Sequence, residues 1–131
     1  MNWIELKLQE NINDLMDKFN EFHDSCIIEC SYITGMYVDE KKKMGQDSKN
    51  SIIRLVFQSQ ICDPIEICFE SIKEINIHTY DNYEYFNNIC DATFFIENGL
   101  IYWANSSEWS INKENKEISY IICKKAKYRN I

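Results

Sequence analysis

The chain has 131 residues, 45% hydrophobic and 14% aromatic, with three glycines and one proline. That length suits a single domain, residues 1–131, able to bury roughly two-thirds of its unfolded surface, and the composition excludes a disordered tail or long low-complexity linkers. The net charge of −7, from 14 bases and 21 acids, disfavours nucleic acid or an anionic membrane as partner. It suits a basic protein partner, or plain solubility.

The opening "MNWIELKLQENIN" mixes acids and bases from residue 5 onward, which is unlike a secretory signal. No apolar run approaches the ~20 residues that span a bilayer. The reading is a cytoplasmic protein whose six cysteines, Cys26, Cys30, Cys62, Cys68, Cys90 and Cys123, remain thiols.

Residues 2–22 predict one amphipathic helix. Ile4, Leu8, Ile12, Leu15, Phe19 and Phe22 recur every three or four positions along one face, and Asn2 with Glu5 resembles a capping box. After Ser25 the period changes to two, predicting a strand to about Val38 with Cys26 and Cys30 facing inward. "DEKKKMGQDSKNS" is polar, contains Gly45 and reads as an exposed loop.

"IIRLVFQSQIC" and "IEICFESI" predict two strands joined at Asp63-Pro64, and "KEINIHTY" adds a short continuation. "DNYEYFNN" is a polar-aromatic loop or a helical turn. "CDATFFIENGLIYWA" predicts a hairpin, because Asn98-Gly99 supplies the positive-φ pair of a type I′ turn. Pairing outward from it puts Phe94 opposite Trp103, Phe95 opposite Tyr102 and Ile96 opposite Ile101. Both faces are then apolar, which predicts central, doubly covered strands. "EISYIICKKAKY" is a final strand whose Lys124, Lys125, Lys127 and Arg129 read as the charged guard of a sheet edge. The sum is α+β: an N-terminal helix packed on a mainly antiparallel sheet of about six to seven strands, as a meander or partly closed barrel.

The segment most like chemistry is "FHDSCIIECSYITG", residues 22–35. In a helix, His23, Cys26 and Cys30 would share a face and offer three zinc ligands. On a strand, Cys26 and Cys30 lie about 13 Å apart. With no Cys-x2-Cys pair anywhere, the spacing predicts no metal site. A Cys26–histidine nucleophile would need an exposed, activated thiolate, against the buried parity of Cys26. The favoured reading is a corner, with Asp24 and Ser25 hydrogen-bonding the backbone and His23 closing it.

A second candidate is the loop carrying Tyr80, Tyr83, Tyr85 and Phe86 among Asp81 and Glu84, either a recognition surface or a loop folding its rings onto the sheet. The third is "YWANSSEW", where Trp103 and Trp109 flank a pocket or close the core. There is no Gly-rich phosphate loop, G-x-S-x-G elbow or H-E-x-x-H helix.

Through "FHDSC", "YITGMYV", the "FQ" strand with "IEICFESI", and "DATFF…GLIYW", the chain resembles a family of small bacterial proteins of unknown function. In size, acidity and helix-then-sheet order it is also similar to immunity proteins of bacterial toxin systems. The first resemblance brings no catalytic residue; the second implies a non-enzymatic inhibitor of a basic partner. The expected function is thus a protein-interaction module without a cofactor. The alternative is a small-molecule binder or small hydrolase at the His23/Asp24 corner, using His78 or Trp103 besides.

Overall fold

The computed structural model describes residues 2–79, 88–112 and 117–131. In chain order the elements are β1 (Ile4–Glu5), α1 (Gln9–Lys18), β2 (Ser25–Ile33), β3 (Met36–Val38), β4 (Met44–Gln46), β5 (Ile52–Ser59), β6 (Ile65–Asn76), β7 (Asn88–Ile89), β8 (Thr93–Glu97), β9 (Leu100–Ala104) and β10 (Tyr120–Asn130). The main sheet runs β7-β2-β5-β6-β10-β9-β8, with β1 pairing on β10; β3 and β4 form a separate two-stranded hairpin. Every pairing is antiparallel, so the architecture is one helix on a mostly antiparallel sheet.

The helix is shorter than its periodicity predicts. Ile12, Leu15, Phe19 and Phe22 are buried, but Ile4 and Leu8 are exposed. The backbone before α1 finds a better partner than its own helix: Ile4 pairs with Tyr128, and the Leu6 N–H donates to the Ala126 carbonyl at 2.9 Å. Leu6 thereby enters the core, and the helix starts where the Leu8 N–H donates to the Asn11 side chain.

Phe19 and Phe22 meet Phe57 and Trp103 edge-on, with Phe22 at 5.0 Å from Phe57 and 6.0 Å from Trp103. Leu55, Ile65, Ile67, Phe69, Phe94 and Ile121 complete this core. Full burial of each such side chain contributes about 1.5–3 kcal/mol before entropy is counted.

Three further expectations are corrected. First, β2 carries a bulge between Ile27 and Glu29. Cys26 therefore pairs with exposed Gln58 whereas Cys30 pairs with buried Leu55. An extra residue shifts the two-residue period, so the two cysteines lie on opposite faces. Second, part of the "DEKKKMGQDSKNS" loop is a strand: Met44–Gln46 pairs with Met36–Val38 across a turn in which the Asp39 carboxylate accepts the Lys41 and Lys43 N–H groups. Third, β10 is central, lying between β6 and β9, and β8 is the edge. Its lysines guard no edge; Lys127 pairs with Glu70 at 3.3 Å.

The β8–β9 hairpin has the predicted register, with Phe94 opposite Trp103 and Phe95 opposite Tyr102. Both faces are covered even beside the edge. Phe94 and Trp103 face the helix-side core, while Tyr102, Ala104, Trp109 and Ile122 make a second, smaller cluster on the other side.

Candidate functional site

The chain leaves α1 through a left-handed turn: Asn20, Glu21 and Phe22 have φ of 52°, 55° and 64°, and Asp24 has 58°. Non-glycine residues pay for such backbone unless the surroundings hold it. Here the surroundings are explicit. Ser25 Oγ–H donates to the Phe22 carbonyl at 2.6 Å, and the Ala92 N–H donates to the Glu21 carbonyl at 3.1 Å. The Asp24 N–H donates to the Ile89 carbonyl at 2.9 Å, and the Asp24 carbonyl accepts the Gln60 N–H at 3.1 Å. Buried Phe22 anchors the turn from below. The corner thus fastens the end of the helix to the ends of β5 and β7.

His23 lies on its surface, about half exposed. Nδ1 is 2.5 Å from the Cys90 carbonyl oxygen and 3.8 Å from Asp91 Oδ1, while Nε2 is 3.3 Å from Asp24 Oδ2. A carbonyl cannot donate, so Nδ1 carries a proton, and the carboxylate favours one on Nε2 as well. The Cys90 hydrogen bond first, then the charges of Asp24, Asp91 and Glu21, raise the His23 pKa above its ordinary 6.5. With Nδ1–H committed to the Cys90 carbonyl and Nε2 facing Asp24, both ring nitrogens are already engaged, which leaves the ring poorly placed as a general base or a metal ligand. Among the described residues no group of three or more His, Cys, Asp or Glu side chains could hold a metal ion.

The corner continues an acidic surface. Glu10, Asp14 and Asp17 are exposed along the solvent side of α1, and Glu21 is exposed in the left-handed turn that follows it. Asp24 and Asp91 stand just beyond them at His23.

Trp103 and Trp109 are placed differently. Trp103 is fully buried in the main core, and Trp109 lies in the second cluster, 5.8 Å from Tyr102 and 5.4 Å from Tyr120. Among the described residues neither indole N–H has a hydrogen-bond partner. His78 is at the far end of β6, its N–H donating to Ser119 Oγ at 2.8 Å, remote in sequence register from the His23 corner. Tyr80, Tyr83, Tyr85 and Phe86 lie outside the described residues.

Two features escape sequence reasoning. On the sheet face away from the helix, Glu66 is 1% exposed and accepts hydrogen bonds from Arg54 and, at 2.6 Å, from Arg129. Arg54 also pairs with Glu29 at 3.1 Å, and the Arg129 guanidinium stacks 4.3 Å over the Trp3 ring. Alternation correctly puts Glu66 on the face opposite Ile65 and Ile67, but only the register of three strands shows that two arginines meet it. The other is an apolar surface on β2 and the β3–β4 hairpin, where Ile28, Tyr32, Ile33, Met36, Tyr37, Val38 and Met44 are all exposed. The Met-Tyr-Val triplet before a charged turn was its one sequence signal.

All six cysteines are free thiols. Among the described residues no helix is long and apolar enough to cross a membrane. No protein-family model, curated protein or solved structure matches the chain.

Proposed function

We propose that this protein works by binding another protein, a basic one, in the manner of an immunity-type inhibitor, and that it does so in the cytoplasm. The observation that carries this reading is the row of exposed acids Glu10, Asp14 and Asp17 on α1, followed by Glu21, Asp24 and Asp91 at the corner that Phe22 anchors in the core. A surface with an excess of one sign steers an oppositely charged partner and raises the association rate at low salt. The net charge of −7 favours neither nucleic acid nor an anionic membrane as the target.

The test is affinity capture of basic proteins from the native lysate at low and moderate salt, followed by association kinetics with the captured protein. Replacing Asp14, Asp17 and Glu21 together by Asn, Asn and Gln is expected to slow association by about tenfold and to flatten its salt dependence. Binding unchanged by that triple variant would refute the proposed surface.

The second reading is a small-molecule or hydrolase site at His23 and Asp24, favoured by their exposed contact at 3.3 Å. Ala at both positions should then abolish ligand binding with little loss of stability. A large stability loss with binding intact would return both residues to holding the corner.

A further inference from the structure

We propose that His23 is a proton-controlled latch: its imidazolium holds residues 89–92 against the corner, and deprotonation loosens that joint. The joint brings together two pieces of chain far apart in sequence. On one side is the left-handed turn of Asn20, Glu21, Phe22 and Asp24, backbone that non-glycine residues keep only when their surroundings hold it. On the other is the segment that links β7 to β8. Backbone bonds cross between them: the Asp24 N–H donates to the Ile89 carbonyl and the Ala92 N–H to the Glu21 carbonyl. Just beyond, Ser25 and Cys26 pair with Ile89 and Asn88.

His23 lies across this joint, in extended backbone (φ −63°, ψ 134°) between two left-handed residues. Nδ1 meets the Cys90 carbonyl oxygen at 2.5 Å, and Nε2 meets Asp24 Oδ2 at 3.3 Å. Both of these neighbours can only accept. A neutral imidazole has one N–H, so it serves one of them and turns a lone pair on the other, whichever tautomer it adopts. The imidazolium alone serves both.

Charge acts in the same direction. Asp91 Oδ1, on the segment, is 3.8 Å from Nδ1, while Glu21 and Asp24 stand on the turn. The ring cation thus lies between carboxylates on the two sides of the joint, which repel one another once it is neutral. From β5 the neighbour is Gln60, uncharged, whose N–H donates to the Asp24 carbonyl at 3.1 Å. The thiols of Cys26 on β2 and Cys90 on the segment are the other titratable groups of the joint among the described residues. The Cys90 carbonyl first, then Asp24, raise the His23 pKa above 6.5. The latch is therefore closed in mild acid and loosens as pH rises through that raised value.

What the latch controls is apolar. Ile89 and Ala92 are buried in the main core, and Asn88 and Ile89 cover the backbone of Cys26 and Ser25. Loosening the segment exposes those side chains and that stretch of β2 together. The latch does not rest on the basic-partner reading.

Hydrogen exchange on the full chain reads the joint, as protection factors corrected for intrinsic amide chemistry at each pH. The reporters are the Asp24, Gln60 and Ala92 amides, whose bonds close it. They should be less protected than the amides of β10. Their protection should fall about threefold between about pH 5.5 and about pH 8.5, the scale of an exposed ion pair. The Lys42 amide, bonded within the β3–β4 turn, is the reference that should not move. His23→Gln keeps a donor for the Cys90 carbonyl but cannot be charged, and should flatten the pH dependence. Asp24→Asn suits left-handed backbone and removes the facing carboxylate, so it should shrink the fall as well. Protection that is flat with pH in the unsubstituted chain overturns the proposal, as does an equal fall in both variants. Reporter amides as protected as those of β10 at both pH values overturn it too, because the joint would then open only when the whole chain unfolds.

Discussion

Glu66 shows how much a single side chain can depend on its neighbours. Its carboxylate is 1% exposed, yet Arg54 and Arg129 reach it from the two flanking strands, each still about a third exposed. Removing one member of a buried pair strands the other; because both guanidiniums here retain access to water, the cost falls below the ~3–5 kcal/mol of a fully buried pair. Glu66→Ala is expected to destabilise by about 2 kcal/mol in urea titration; a change near zero would mean the arginines find full hydration. His23 makes a prediction in pH. Its folded pKa lies above 6.5, through the Cys90 carbonyl first and Asp24 next. Its contribution is therefore complete below the unfolded value and disappears as pH rises through the folded one. His23→Gln should cost stability at about pH 5.5 and progressively less towards about pH 8.5. Among the thiols, burial pushes Cys123 up to about 12 and raises Cys30 as well, whereas Cys90 is exposed. Ellman's reagent should label Cys90 before Cys30 and reach Cys123 only on unfolding; six equally fast thiols would contradict the packing.

At the scale of elements, the β8–β9 turn is held by backbone conformation alone. Asn98 and Gly99 have φ of 52° and 78°, and a Cβ at position 99 would meet nothing within 4 Å. Gly99→Ala therefore isolates the left-handed cost and should destabilise by about 1 kcal/mol, read as a drop of several degrees in Tm. The start of α1 offers the opposite change. Leu8 occupies the N-cap, exposed and with no side-chain oxygen for the free N–H groups of the first turn. Leu8→Asp should stabilise by about 0.5–1 kcal/mol, since a carboxylate both caps that turn and meets the positive end of the helix dipole. Loss of stability there would show that the Leu8 side chain packs usefully.

Across the whole molecule, β10 is the spine. Its 11 residues pair with β6 along one side and with β9 and then β1 along the other. Amides of β10 and β6 should exchange slowest with solvent, at the free energy of global unfolding, while the β3–β4 hairpin, which belongs to no larger sheet, exchanges fast. Rapid exchange in β10 would mean that the sheet opens from its middle. The acidic surface and the apolar end lie on different parts of this frame.

Signals that act over a few residues were decided by the sequence alone. Asn98-Gly99 set a hairpin and its register because a type I′ turn admits one pairing. Ile12, Leu15, Phe19 and Phe22 marked a helix stripe because their spacing matches its turn. Ser25 beside Asp24 indicated a corner because short polar side chains satisfy loose backbone groups. Signals that needed a distant partner were decided only by the tertiary structure. Ile4 and Leu8 continue the helical period, yet residues before α1 join β10, whose edge offered hydrogen bonds from more than a hundred positions away. The bulge at Ile28 undid the shared face of Cys26 and Cys30 without any mark in composition. The lysines of β10 suggested an edge, but only strand order makes that strand central and gives Lys127 and Arg129 their carboxylates. Periodicity records which face is buried against something; it does not record what that something is, because strand order and pairing are set by contacts between segments far apart in the chain.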